Sequence, residues 1–145
     1  MKKLVASIVC LAMISMVTAI AGGEKAPKIE GTWILTAVVS GKGKAPEDLL
    51  AKIMPTAVFK DGKYSFSVMG KIDEAGTYKI DAAKKPASID LVIDEGKHKG
   101  KTQLCIYKIE GEMLTLAVNM PGSTTRPKNF EPGEDVEVQT FKQKK

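Results

Sequence analysis

Short runs of alternating apolar and polar residues, separated by turn residues, follow one another along most of this chain from Ile29 onward. Side chains that are apolar at every second position are typical of β-strands buried on one face. Most connections between the runs are short, which favours antiparallel neighbours joined by hairpins. The pattern predicts an all-β protein.

About eight strands are expected, at 32–39, 57–60, 64–68, 76–80, 89–93, 102–109, 113–120 and 136–141. In the first of them, Trp33, Leu35, Ala37 and Val39 should share one face. Asp61-Gly62 is expected to form the tight turn of a hairpin. One short helix is expected after the first strand, beginning near Pro46 and ended by Pro55.

Eight short strands in sequence order favour a small antiparallel β-barrel, because closure removes the exposed strand edges. A sandwich of two sheets is the alternative architecture. Residues 29–145 are long enough for one such domain with one core.

The amino-terminal segment has the pattern of a secretory signal peptide. Lys2 and Lys3 precede an apolar run over 4–20, and small residues end it at Ala19 and Ala21. We expect residues 1–21 to be a signal peptide cleaved after Ala21, with 22–28 a flexible leader. This predicts a secreted or periplasmic protein without stable membrane insertion after cleavage; an uncleaved membrane anchor is the alternative.

Charge and cysteine content narrow the range of partners. The formal net charge of +5 falls to +3 if Lys2 and Lys3 leave with the signal, which is too mild to indicate a nucleic-acid partner. Loss of Cys10 would leave Cys105 alone, so no internal disulfide is expected. Between Leu104 and Ile106, Cys105 is interpreted as a buried thiol in a strand, with a reactive thiol as the alternative.

Several segments together carry a family resemblance. Gly31-Thr32-Trp33 opens the first strand, and it is followed by the segments 76–91, 106–114 and 126–130. The series resembles a family of small, often secreted lipocalin-like domains, found chiefly in planctomycete bacteria, whose function is uncharacterised. The likeness spans nearly all of the chain after the predicted signal.

The resemblance implies a structural clamp at one end of the barrel. In lipocalins the tryptophan of the Gly-x-Trp signature closes the barrel, and an arginine lies across its ring. Here the clamp residues would be Gly31, Trp33 and Arg126, the one arginine of the chain. The alternative role for Arg126 is to bind an anionic group of a ligand. The family supplies no catalytic residues.

Motifs for catalysis, metals or cofactors are weak. His98 is the one histidine and is interpreted as a solvated loop residue. The loop at 41–44 lacks the spacing of a phosphate-binding loop, and the acidic pairs at 73–74, 94–95 and 134–135 are interpreted as solvated turns rather than a calcium site. No cofactor and no enzymatic activity are expected.

The lumen is the remaining candidate site. Strand alternation places six candidates for ligand contact on inward faces: Tyr64, Phe66, Val68, Leu116, Val118 and Met120. A barrel of eight strands is either filled by its own side chains or holds one small ligand. The leading hypothesis is binding of a small apolar or amphipathic molecule without catalysis; the alternative is a filled barrel that serves as a structural or protein-interaction module of the cell envelope.

Overall fold

Nine β-strands and one short helix form residues 28–145, the part of the chain that the computed structural model describes. The predicted signal peptide and most of the predicted leader lie outside these residues. The elements are β1 (Gly31–Ser40), β2 (Gly43–Lys44), α1 (Glu47–Ile53), β3 (Thr56–Lys60), β4 (Lys63–Val68), β5 (Lys71–Asp81), β6 (Ser88–Glu95), β7 (Thr102–Glu110), β8 (Met113–Asn119) and β9 (Val136–Gln143).

The strands close into a barrel. Each strand from β3 to β8 pairs antiparallel with the next, and β1 pairs with both β3 and β9. Eight strands therefore form the wall, while the two-residue β2 only extends β1 as a small hairpin. The prediction of an all-β, eight-stranded antiparallel barrel is confirmed, and the sandwich alternative is excluded by the β1–β9 pairing.

The single helix lies where the sequence predicts it. Glu47 and Asp48 occupy its first turn, where carboxylates favour the positive end of the helix dipole. Met54 ends it in the left-handed conformation, donating its backbone N–H to the carbonyl of Leu50. The helix attaches to the barrel through Leu50, which is buried in the core. Within residues 28–145, no helix is long and apolar enough to cross a membrane.

The hairpin between β3 and β4 confirms the Asp61-Gly62 prediction. Both residues have positive φ, 51° and 75°, as the twisted two-residue hairpin turn requires. The turn sets the register in which Phe59 faces Tyr64.

The predicted face of β1 is correct only in its first half. Trp33 and Leu35 are buried, but the pairing with β9 shifts between Leu35 and Ala37. This bulge adds one residue to β1 and reverses the faces of the residues after it. Val38, rather than Ala37 or Val39, consequently packs against the core.

Aromatic side chains fill one end of the barrel, which we call the closed end. It lies where β1 begins and β9 finishes, beside the turn that joins β3 to β4. The Phe59 ring stacks on Tyr64 with 6.2 Å between centroids and meets Tyr78 edge-on at 5.3 Å. Trp33 is 1% exposed and donates its indole N–H to the carbonyl of Ile29 over 2.7 Å. These contacts make the closed end a rigid floor.

Candidate ligand-binding cavity

A cavity of about 450 Å³ occupies the barrel above this floor. It opens at the opposite end, which we call the mouth, where β1 and β8 finish and β5 and β9 begin. Its volume lies within the range of about 300–1,000 Å³ that is typical of small-molecule sites. The lining residues are contributed by all eight wall strands and by the loops at the mouth.

Five of the six lumen candidates line the cavity. Tyr64 and Phe66 do so from β4, Leu116 and Val118 from β8, and the exposed Met120 from the rim. Val68, the sixth candidate, is not among the residues that line the cavity. The register of β4 against β5 shifts just after Phe66, where Asp73 is an extra residue of β5, so the irregularity lies in β5 and not in β4.

The inner part of the cavity is mainly apolar, although the amides of Gln103 and Gln139 also line it. Besides the candidates named above, its wall includes three apolar side chains that were not predicted to contact a ligand: Phe59, Leu91 and Phe141. All three are at most 6% exposed and belong to the core cluster. A guest in this part would exchange water for hydrocarbon and aromatic surface, which favours binding.

The mouth is polar and mainly acidic. Five carboxylates line it, from Asp73, Glu74, Glu134, Asp135 and Glu137, together with one lysine, Lys42, and His98. None of the four ion pairs between side chains in residues 28–145 includes any of these five carboxylates. The cavity therefore has an apolar interior and a mouth rich in negative charge.

Two of these carboxylates are half-buried and held by neutral donors. The Tyr64 hydroxyl donates to Oε1 of Glu74 over 2.9 Å, and the Gln139 amide donates to Oε1 of Glu137 over 2.6 Å. Burial, and secondly the nearby Glu74 carboxylate, raise the pKa of Tyr64 well above its usual value. Tyr64 is therefore a neutral donor, and neither contact removes the negative charge of its partner.

These polar residues were not predicted to be part of the site. Asp73-Glu74 is part of β5 rather than a turn, and Glu134-Asp135 lies at the rim just before β9. Alternation backward from Phe141 would have placed Glu137 and Gln139 on the inward face. In the part of the chain that the structure describes, no three His, Cys, Asp or Glu side chains are grouped to hold a metal ion.

Cys105 is a buried thiol in β7, as predicted. It is fully buried and unpaired, and it is not a lining residue of the cavity. Burial raises the pKa of its thiol, outweighing the opposite effect of Arg126. Because the thiolate is the reactive form, this environment makes Cys105 a structural residue rather than a nucleophile.

Arg126 does not stack on Trp33, so the predicted clamp is wrong. Its guanidinium pairs with Asp90 and donates to the carbonyl of Cys105 over 2.7 Å. Arg126 belongs to the connection between β8 and β9, which reaches β6 and β7 on the outer surface of the barrel, whereas Trp33 points into the core. The cation over an aromatic ring in the described residues is instead Lys108, 5.0 Å from the centre of Phe130.

Replacing Arg126 with alanine is expected to lower the free energy of unfolding by about 1–2 kcal/mol, since Asp90 and the Cys105 carbonyl both lose a charged donor. The side chains of the pair are 24% and 36% exposed, which limits the loss. The fluorescence maximum of Trp33, the one tryptophan, should stay unchanged in the folded variant. A shifted maximum in Arg126→Ala, absent in Lys108→Ala, would contradict this placement.

Comparisons of the chain with models of protein families, with curated proteins and with solved structures find no match.

Proposed function

We propose that this protein is an extracytoplasmic, lipocalin-like carrier that binds one small apolar or amphipathic molecule in its barrel. The observation that carries the proposal is the cavity of about 450 Å³ with its apolar interior. A barrel filled by its own side chains would not contain an open volume of this size, because protein interiors pack with few voids larger than a water molecule. The cavity therefore favours ligand binding over the filled structural module.

The lining of the cavity supports binding rather than catalysis. Its one serine, Ser40, donates its hydroxyl to the backbone carbonyl of Gly43 over 3.4 Å, so its proton is engaged with the backbone rather than with a general base. Tyr64 is held neutral by burial, and it donates to Glu74. A rigid aromatic floor and neutral donors are suited to holding a guest, not to moving protons.

Location and family are part of the proposal and rest on the sequence. The basic start, apolar run and small residues of 1–21 support export across a membrane. The series of segments that begins with Gly31-Thr32-Trp33 supports the lipocalin-like assignment.

A titration with Nile red, an uncharged hydrophobic dye, tests the binding proposal. We expect one dye per protein, with micromolar affinity, and displacement by uncharged ten-carbon alcohols. Val118→Phe is expected to weaken dye binding at least tenfold, because the larger side chain enters the cavity from β8.

The control for this variant is Val92→Phe, the same substitution on the outer face of β6, where Val92 is 39% exposed and does not line the cavity. It should bind the dye as the unmodified protein does. Absence of uptake of the dye and of every aliphatic probe by the unmodified protein would overturn the proposal, as would equal loss of binding in both variants.

A further inference from the structure

The charge at the mouth narrows the class of ligand. We propose that the cavity selects an amphipathic cation: a single-chain or aromatic amine whose apolar part fills the barrel and whose ammonium group lies among the carboxylates of the mouth. This inference rests on the proposed function and goes further, since it separates cationic from neutral and anionic guests of the same size.

Negative charge is in excess where the cavity opens. Five carboxylates share the lining with Lys42 as the one lysine, although the chain as a whole carries a formal net charge of +5. Negative charge concentrated at the opening of a low-dielectric cavity attracts cations and repels anions. A fatty acid would place its own carboxylate next to the carboxylates of the mouth, and the negative charges would repel each other.

Glu74 and Glu137 lie deeper in the cavity than the other three carboxylates. Both are half-buried and line the cavity, whereas Asp73, Glu134 and Asp135 are exposed at the rim. Taking carboxylates partly out of water costs free energy unless a positive charge or good donors compensate for it. The phenol of Tyr64 and the amide of Gln139 each supply one hydrogen bond and no charge. A ligand ammonium would supply the missing charge.

The lining side chains change in character from the inner end of the cavity to its mouth. Phe59 and Phe141 lie at the inner end, and register places Glu74 beside Phe66 and Glu137 beside Val118. Going outward, a guest therefore meets the rings of Phe59 and Phe141 first, then a level where apolar side chains and the two inner carboxylates lie side by side, and then the exposed carboxylates of the rim. This order matches a molecule with an apolar tail and a cationic head, bound tail first.

The test compares three ten-carbon probes that differ only in the head group: decylammonium, decanol and decanoate, each competing with Nile red at neutral pH. Decylammonium is expected to bind about tenfold more tightly than decanol, given two partly exposed ion pairs of ordinary strength. Decanoate should be the weakest. Raising the salt concentration to 1 M should reduce these differences, because exposed charges are then screened.

The variant is the double substitution Glu74→Gln and Glu137→Gln, which keeps the shape and the acceptor oxygens for Tyr64 and Gln139. The measured quantity is the ratio of the decylammonium and decanol affinities within each protein, and in the double variant this preference should fall below twofold. The matched control is the double substitution Glu30→Gln and Glu131→Gln, at two exposed glutamates that do not line the cavity. It should keep the full preference for decylammonium over decanol.

The outcomes separate the two proposals. If Nile red and decanol bind but decylammonium has no advantage, or if the double variant keeps the full advantage, the selection of cations is overturned while the carrier function stands. If no probe binds the unmodified protein, the carrier function itself fails.

Discussion

Replacing Gly76 with alanine is expected to lower the free energy of unfolding by about 3 kcal/mol or more, at the upper end of the cost of overpacking. An added Cβ would lie 1.8 Å from the backbone oxygen of Val92 and 2.9 Å from its carbonyl carbon. Neither atom belongs to a flexible side chain that can move aside. Since β5 and β6 are joined along this seam, relief of the clash requires the two strands to separate.

Gly133 provides the matched control. Its added Cβ would have no neighbour nearer than 4.0 Å, and its backbone is outside the left-handed region. Gly133→Ala should be neutral, or stabilising by about 0.4–1 kcal/mol through the reduced entropy of the unfolded chain. Urea denaturation of both variants measures the difference. A loss below about 1 kcal/mol for Gly76→Ala would mean that the seam is looser than the structure shows.

The parts of the fold that were predictable have local causes. Asp61-Gly62 forms its turn because both residues tolerate positive φ, and the helix after Pro46 begins and ends on its own residues. Closure of the barrel followed from a general cost, the exposure of unpaired strand edges. None of these inferences needed knowledge of a distant part of the chain.

The errors arise where a partner strand decides the conformation. The bulge after Leu35 and the register shift after Phe66 are properties of a pair of strands, and no local pattern marks them. The first adds a residue to β1 and reverses the faces of the residues beyond it, and the second adds Asp73 to β5. For this reason Ala37 and Val39 do not share the inward face of Trp33 and Leu35, as the alternation had predicted.

The polar half of the site was missed for a related reason. Asp73 and Glu74 follow a turn at Gly70, and the alternation back from Tyr78 meets Gly76 and Glu74 where apolar side chains would mark an inward face, so the sequence predicted a solvated turn. The closed barrel makes them part of β5 and places them on the cavity lining. Arg126 was misplaced because a long connection can cross any face of a barrel, and its partner Asp90 is 36 positions away in sequence.

At alkaline pH the free energy of unfolding is expected to fall steeply, beginning near pH 9. Burial raises the pKa of Cys105 above its ordinary value of 9.0, so the folded barrel keeps the proton that the unfolded chain loses. The unfolded state then binds fewer protons, and stability falls as pH rises, by about 1.4 kcal/mol per pH unit for one group. Below pH 9 this contribution is fully present. Tyr64, whose pKa is also raised by burial, adds a second loss above pH 10.

Cys105→Ala isolates the thiol. The variant should be less stable at neutral pH because a buried side chain is truncated, but between pH 9 and 10, where the thiol of the unfolded chain is still completing its ionisation, its stability should fall by about 1 kcal/mol less. Ile106→Val truncates a neighbouring buried side chain that has no titrating group. Its free energy of unfolding should therefore change with pH in parallel with that of the unmodified protein. Urea titrations in the presence of a reductant give the three curves. Parallel curves for all three proteins would mean that Cys105 ionises as readily in the folded barrel as in the unfolded chain, which its complete burial in β7 rules against.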